Sequence, residues 1–199
     1  MAATALFIQN QITKETEKIK FKVPTTASEA YTLGITMSSL FLHILTILSS
    51  QCKSEKGREI LNLFAAQEEK EIKTFSSDFK FALNCEITRF YQSGGTIIPL
   101  DISKEQIAET KLLITRNLEN FFNWMQEIEN SFANNPSPDA SKYFNTKNVE
   151  DVFATCMKAR MSIIGLYRRL AKLYPKGNIS KAFEEMALTL EKGNENLLI

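Results

Sequence analysis

From Ala30 to Cys52 the chain carries no Asp, Glu, Lys or Arg, a run of 23 uncharged residues. That length suffices for a helix to cross a bilayer, so the run admits two structures, a membrane span or the inner helix of a packed bundle. Thr32, Thr36, Ser38, Ser39, His43, Thr46, Ser49, Ser50 and Gln51 interrupt it, and no second such run occurs. So polar a composition favours the bundle helix. Thr26 followed by Glu29 forms a capping-box pattern, which starts the helix and carries it to about Ser50. One face reads Tyr31, Gly34, Ser38, Phe41, Leu45 and a second reads Leu33, Met37, Leu40, Ile44, Ile47, so the helix is expected to be buried all round.

Chain breakers are scarce elsewhere too: seven Gly and five Pro in 199 residues favour long helices. After a polar turn at 53–57, a second helix is expected to about Asn84 on the stripe Leu61, Phe64, Ala65, Ile72, Phe75, Phe79, Leu83. At 100° per residue Glu68 falls in the middle of that stripe, with Glu69 and Glu71 on its two flanks. Ser93-Gly94-Gly95 and Pro99 mark a loop, and Ser103 with Gln106 caps a third helix over about 103–133. The stripe of that helix is Ile107, Ile114, Leu118, Phe121, Met125, Ile128, Phe132. A turn-rich linker at 134–138 precedes a fourth helix from Asn148 to Tyr174, closed by Pro175 and Gly177. A fifth helix from about Ser180 has core positions Phe183, Met186, Ala187, Leu190 and Leu197. The pattern predicts one all-α domain over 25–199 behind an N-terminal extension, 1–24, that holds the apolar patch Leu6-Phe7-Ile8.

Composition narrows the function. Twenty-four Lys+Arg against 23 Asp+Glu leave a net charge of +1, which argues against a broadly cationic nucleic-acid binder. Cys52, Cys85 and Cys156 are far apart and form no CxxC pair, so zinc ribbons, rubredoxin-type iron and dithiol redox motifs are excluded, and three is an odd number for a disulfide framework. The first residues lack a basic start, apolar run and cleavage site, so a cytoplasmic protein is expected. Gly94-Gly95 lacks the spacing and the following Lys of a phosphate loop. His43, the one histidine, offers no Cys-His or Ser-His-Asp arrangement and is expected as a packed or interface residue. Lys158, Arg160, Arg168, Arg169 and Lys172 form a basic stretch, either a solvated face or a contact for an acidic partner or membrane surface.

The helix pairs at about 26–84 and 148–199 look like two halves of one repeat. Glu29-Ala30-Tyr31-Thr32-Leu33-Gly34-Ile35-Thr36-Met37-Ser38, Phe64-Ala65-Ala66-Gln67-Glu68-Glu69-Lys70-Glu71, the Leu166-Tyr167 and Leu170-Ala171 that follow Arg160, and Met186-Ala187-Leu188-Thr189-Leu190-Glu191-Lys192-Gly193 recur in order. In that order the chain resembles the rubrerythrin branch of the ferritin-like superfamily. There, each helix pair gives one Glu from its first helix and a Glu-x-x-His from its second, and together these hold two irons in a four-helix bundle. The resemblance places Glu68 at a surviving ligand position, Glu71 in place of a His, Ser38 and Arg160 at the first-helix Glu positions, and Leu190 and Gly193 at the last two. It covers about 110 residues in two blocks, with 86–147 as an enlarged crossover that carries its own helix.

These departures weigh against a metal centre. Ser38, Leu190 and Gly193 offer no strong ligand, and Arg160 puts a permanent cation where an anionic ligand belongs. The expectation is therefore a ferritin-like bundle that has lost its di-iron centre and holds no cofactor. In it, Arg160 pairs with Glu68 and Glu71, and the protein serves a non-catalytic binding or structural role. Three simpler placements stay open: Glu68 bonded to the Ser38 or Tyr167 hydroxyl, Glu71 solvated at the stripe's edge, and Arg160 on the charged face with Lys158, Arg168 and Arg169. The alternative function is a working di-iron oxidase, peroxidase or iron-handling protein using Glu68, Glu71 and shifted ligands such as Glu191 and Asn194. A third possibility is a protein anchored in a membrane by residues 30–52. A homo-oligomer, most simply a dimer, or a complex with another protein is expected, with the aromatic stripe Phe121, Phe122, Trp124, Phe132 as one candidate surface.

Overall fold

The structure is a computed structural model that describes residues 22–52, 55–96, 102–133 and 146–198; for 51, 121–133 and 146–151 it describes the backbone alone. Among the described residues every regular element is a helix: α1 (Ala27–Gln51), α2 (Glu55–Gln92), α3 (Lys104–Ala133), α4 (Thr146–Leu173) and α5 (Asn178–Leu197). The all-α class is thus observed. Residues 1–21, the linker at 134–138 and the aromatic side chains Phe121, Phe122, Trp124 and Phe132 lie outside what is described.

Local chemistry sets the helix ends. The Thr26 hydroxyl accepts from the Glu29 backbone N–H at 3.2 Å, so half of the capping box forms. Glu29 does not close the other half; its carboxylate turns outward to the backbone and hydroxyl of Thr25 and to Lys22. Ser103 and Gln106 do form both reciprocal bonds at the start of α3. α2 runs two turns past Asn84, because nothing in residues 85–92 breaks a helix. It stops in a Schellman closure, in which Gly95 N–H donates to the Phe90 carbonyl and Gly94 N–H to that of Tyr91. Gly94 sits at φ 70°, a left-handed conformation that costs a residue with a Cβ much more.

Contacts at both ends of each pair fix the directions. Ser28 bonds Glu86 and Ser49 bonds Asn62, so α1 and α2 are antiparallel. Ser180 bonds the Ala171 carbonyl and Asn194 meets Arg160, so α4 and α5 are antiparallel as well. α2 and α4 run the same way, since the rings of Phe64 and Phe153 pack edge to face at one level and Glu71 meets Arg160 at the next. The two pairs meet through α1 on α5, α2 on α4 and α2 on α5, while α3 packs on α4, where Asn117 bonds Ser162 and Gln106 bonds the Leu173 carbonyl. Parallel neighbours need a long return connection, and residues 93–145, carrying α3, provide it.

The core is one continuous cluster built on Phe41, Leu45, Phe64, Phe75, Ile163, Leu166, Leu170, Phe183 and Met186. α1 is not buried all round. Thr32, Ser39, His43, Thr46 and Ser50 are exposed along one uncharged stripe, because among the described residues α1 packs chiefly on α2 and α5, which leave this side uncovered. His43 is therefore exposed rather than packed. By length and composition Ala27–Ser50 would suffice to cross a membrane, with mean hydropathy 1.6, and half of that window is buried against the other helices. On α2 the buried face passes through Ala82 instead of Leu83, which is exposed. Val23 and Pro24 are buried, and the Pro24 carbonyl accepts from the Tyr174 hydroxyl at 2.9 Å, so the end of the expected extension is tied to the core.

Candidate functional site

In the middle of this apolar core lies a group of charges. Glu68 and Glu71 project from α2 one turn apart, and the Arg160 side chain reaches them from α4. Relative exposures of 1% for Glu68, 2% for Glu71 and 0% for Arg160 remove all three from water. Arg160 therefore does not join the solvated basic face, and Glu71 is not a surface carboxylate.

The guanidinium is saturated, with an acceptor for each of its five N–H groups. Nη1 donates to Glu68 Oε1 and, at 3.0 Å, to Glu71 Oε2; Nη2 donates to Glu71 Oε1 at 2.6 Å and to the Leu190 carbonyl at 3.3 Å. Nε donates to Asn194 Oδ1 at 2.6 Å. Glu71 is thus gripped by the two forks of a planar cation, a geometry that a lysine ammonium does not supply. Gln67, one turn before Glu71, adds a bond to Oε1 at 2.9 Å.

Gly193 makes the arrangement possible. A methyl group there would stand 2.6 Å from Gln67 Nε2 and 2.9 Å from Arg160 Nη2, and closer still to Glu71 Oε1. The bare Cα of α5 is what leaves room for the fork. All six positions quoted for the resemblance therefore border one cluster: Ser38 faces Glu68, Leu190 lends its carbonyl and Gly193 its missing side chain. Of the shifted ligands considered, Asn194 joins the cluster, whereas Glu191 points outward to Arg168 at 2.5 Å.

Two carboxylates facing one guanidinium leave a formal charge of −1 in a dry place. The Glu68 carboxyl is raised to about 8: burial pushes it up most, the Arg160 cation pulls against that, and the Glu71 charge adds to the rise. Burial also works against the charge on Arg160, and its contacts with Glu71 and Glu68 outweigh that, raising it above its ordinary value. Glu68 Oε2 and the Tyr167 hydroxyl are buried without a close hydrogen-bond partner, and the Ser38 hydroxyl faces Glu68 and favours its charged form only weakly, so the cluster is saturated on its Glu71 side and looser on its Glu68 side. The Tyr167 phenol is raised by burial and by the two carboxylates, and stays protonated.

The donor set does not fit a di-iron centre. Two divalent cations need several carboxylates and imidazoles with free lone pairs, and here both carboxylates already accept from a fixed cation. Among the described residues no group of three or more His, Cys, Asp or Glu gathers as a metal site would require. Gln67 is not singled out by the sequence, although it lies at helical spacing within a buried stripe; Asn194 is, as a shifted metal ligand, and the structure gives it to Arg160 instead. No family model, curated protein or solved structure matches the chain.

Proposed function

We propose that this chain is a ferritin-like helical protein of rubrerythrin type, in which the Arg160 guanidinium takes the place of a di-iron centre, and that it serves as a binding or structural protein rather than an oxidase. One observation carries this: the Arg160 fork is seated between Glu68 and Glu71 against the bare Cα of Gly193, at the positions where the resemblance expects metal ligands. A fixed cation supplies the charge that a metal would otherwise bring, and it cannot change oxidation state or open a coordination position to a substrate. The order α1, α2, long crossover, α4, α5 further supports the ferritin-like assignment. α1 is taken as a core helix, supported by its buried residues Met37, Phe41 and Leu45.

Metal analysis of the purified protein after growth with added iron and manganese tests the proposal. A content far below one metal per chain is expected. A near-stoichiometric content that survives dialysis would sink it.

A further inference from the structure

The buried cluster reaches the surface through one side chain. Arg160 Nε needs an acceptor, so the Asn194 carbonyl turns inward to it at 2.6 Å and the amide nitrogen turns outward, where it donates to Met161 Sδ at 3.6 Å. Asn194 is 6% exposed and Met161 is 53% exposed, so two contacts lead from the guanidinium to a sulfur at the boundary with water. Among the described residues no other methionine is exposed: Met37 and Met186 are buried and Met157 is half-buried.

Gly165 keeps that sulfur open. On a helix a side chain leans over the turn before it, so a side chain at 165 would lie over residue 161. Glycine is among the poorest helix formers, yet a Cβ added at Gly165 would meet nothing within 4 Å and the residue has no positive φ, so neither packing nor a turn calls for it. What its bare Cα does is leave the Met161 thioether uncovered.

We infer that Met161 is a site of oxidation by a peroxide, and that its sulfoxide tightens the hold of Asn194 on Arg160. A thioether sulfur has two lone pairs; one accepts from Asn194, and the other attacks a peroxide oxygen. The S–O bond forms as the O–O bond breaks, the sulfur gives up two electrons, and the departing hydroxide takes the proton of the transferred oxygen and leaves as water. Rotation of the flexible side chain then offers the new oxygen to the same amide N–H. A thioether is a weak acceptor and a sulfoxide oxygen a strong one. The stronger bond polarises the amide, and its carbonyl accepts more strongly from Nε. Oxidation inside a core disrupts packing, whereas here the new dipole lies at the surface with a donor already in place.

Graded hydrogen peroxide on the full chain tests this, with oxidation at each methionine read by peptide mass spectrometry and stability by urea unfolding. Met161 is expected to oxidise faster than Met157 and well before Met37 and Met186. Gly165→Leu, whose side chain meets nothing else in the molecule, is expected to slow Met161 severalfold and leave Met157 unchanged. Oxidation confined to the accessible methionines is expected to lower the unfolding equilibrium constant about threefold, the scale of one improved hydrogen bond. That gain should vanish in Asn194→Asp, which keeps an acceptor for Arg160 and removes the donor to Met161. Met161→Leu decides the same point without touching the cluster: peroxide should then leave its urea midpoint unmoved. Met161 oxidising no faster than Met157, or as fast in Gly165→Leu, overturns the inference. So does an oxidised chain no more stable than the untreated one, or a gain that persists in Met161→Leu.

Discussion

Gly193→Ala adds a single methyl group at the most crowded point of the core. Its new carbon would overlap Glu71 Oε1 and stand 2.6 Å from Gln67 Nε2 and 2.9 Å from Arg160 Nη2. In a helix interior Gly→Ala ordinarily gains about 1 kcal/mol. Here the methyl displaces one partner of a buried ion pair, and breaking such a pair costs about 3–5 kcal/mol. The net expectation is a loss of about 2–4 kcal/mol in urea unfolding, read as a lower midpoint at unchanged slope. Gly34→Ala is the matched comparison. Its methyl would also meet an atom at close range, the sulfur of Met186, but that is the end of a flexible side chain, and the next neighbour is Phe75 Cδ2 at 3.5 Å. The smaller loss belongs to Gly34→Ala. Should Gly193→Ala prove neutral or stabilising, or cost no more than Gly34→Ala, the seating of the guanidinium against α5 is wrong.

Arg160→Leu is expected to cost about 3–5 kcal/mol by leaving the buried acidic pair Glu68 and Glu71 without its cation, and combining it with Glu68→Gln and Glu71→Gln should recover most of that loss in the same urea assay. Glu68 titrates higher in the folded chain than in the unfolded one, so the native state holds the extra proton; stability should fall as pH rises from about 4.5 through about 8, by at most about 1.4 kcal/mol per pH unit. Glu68→Gln should flatten that decline in unfolding curves collected across the range, and a decline that persists in the variant would assign it to other groups. Of the three thiols, Cys85 is half-buried, Cys52 and Cys156 are buried, and burial pushes Cys156 up to about 12. A thiol reagent should therefore modify one cysteine quickly in the native protein and three after denaturation, with the site read by mass spectrometry.

Much of the fold was legible because helices announce themselves locally. The caps at Thr26 and Ser103 and the apolar periodicity each depend on residues within a few turns. Glu68 could be picked out in the same way, as a carboxylate on an apolar stripe. Arg160 could not. Its neighbours Lys158, Arg168 and Arg169 give it the look of a solvated face, and only the packing of α4 on α2 separates it from them. The same limit hid Gln67, Thr110 and Asn117, all buried polar residues, and left Asn194 as a supposed metal ligand, because a stripe records which side is buried and not what it will meet. The outer stripe of α1, with His43 as a packed residue, misled for the opposite reason: an uncharged run reads as interior, although among the described residues α1 packs chiefly on α2 and α5.

The separation of Arg160 from its partners along the chain has a consequence for how the molecule assembles. Glu68 and Arg160 are 92 residues apart and Glu71 and Arg160 are 89 apart, so the whole crossover must be placed before the cation arrives. The α1–α2 hairpin is local and is complete early in synthesis, yet its inner face then presents two carboxylates to an apolar groove with nothing to compensate them. Acid keeps such a half-molecule neutral, and neutral pH drives it open to water. The second hairpin carries a complementary defect, a guanidinium without an anion. Each half is thus destabilised alone by the same charges that lock the two together, which makes the core a check that both hairpins are present: a product lacking α4 and α5 should be recognisable by its exposed acidic groove, and the protein with both hairpins should unfold in a single step.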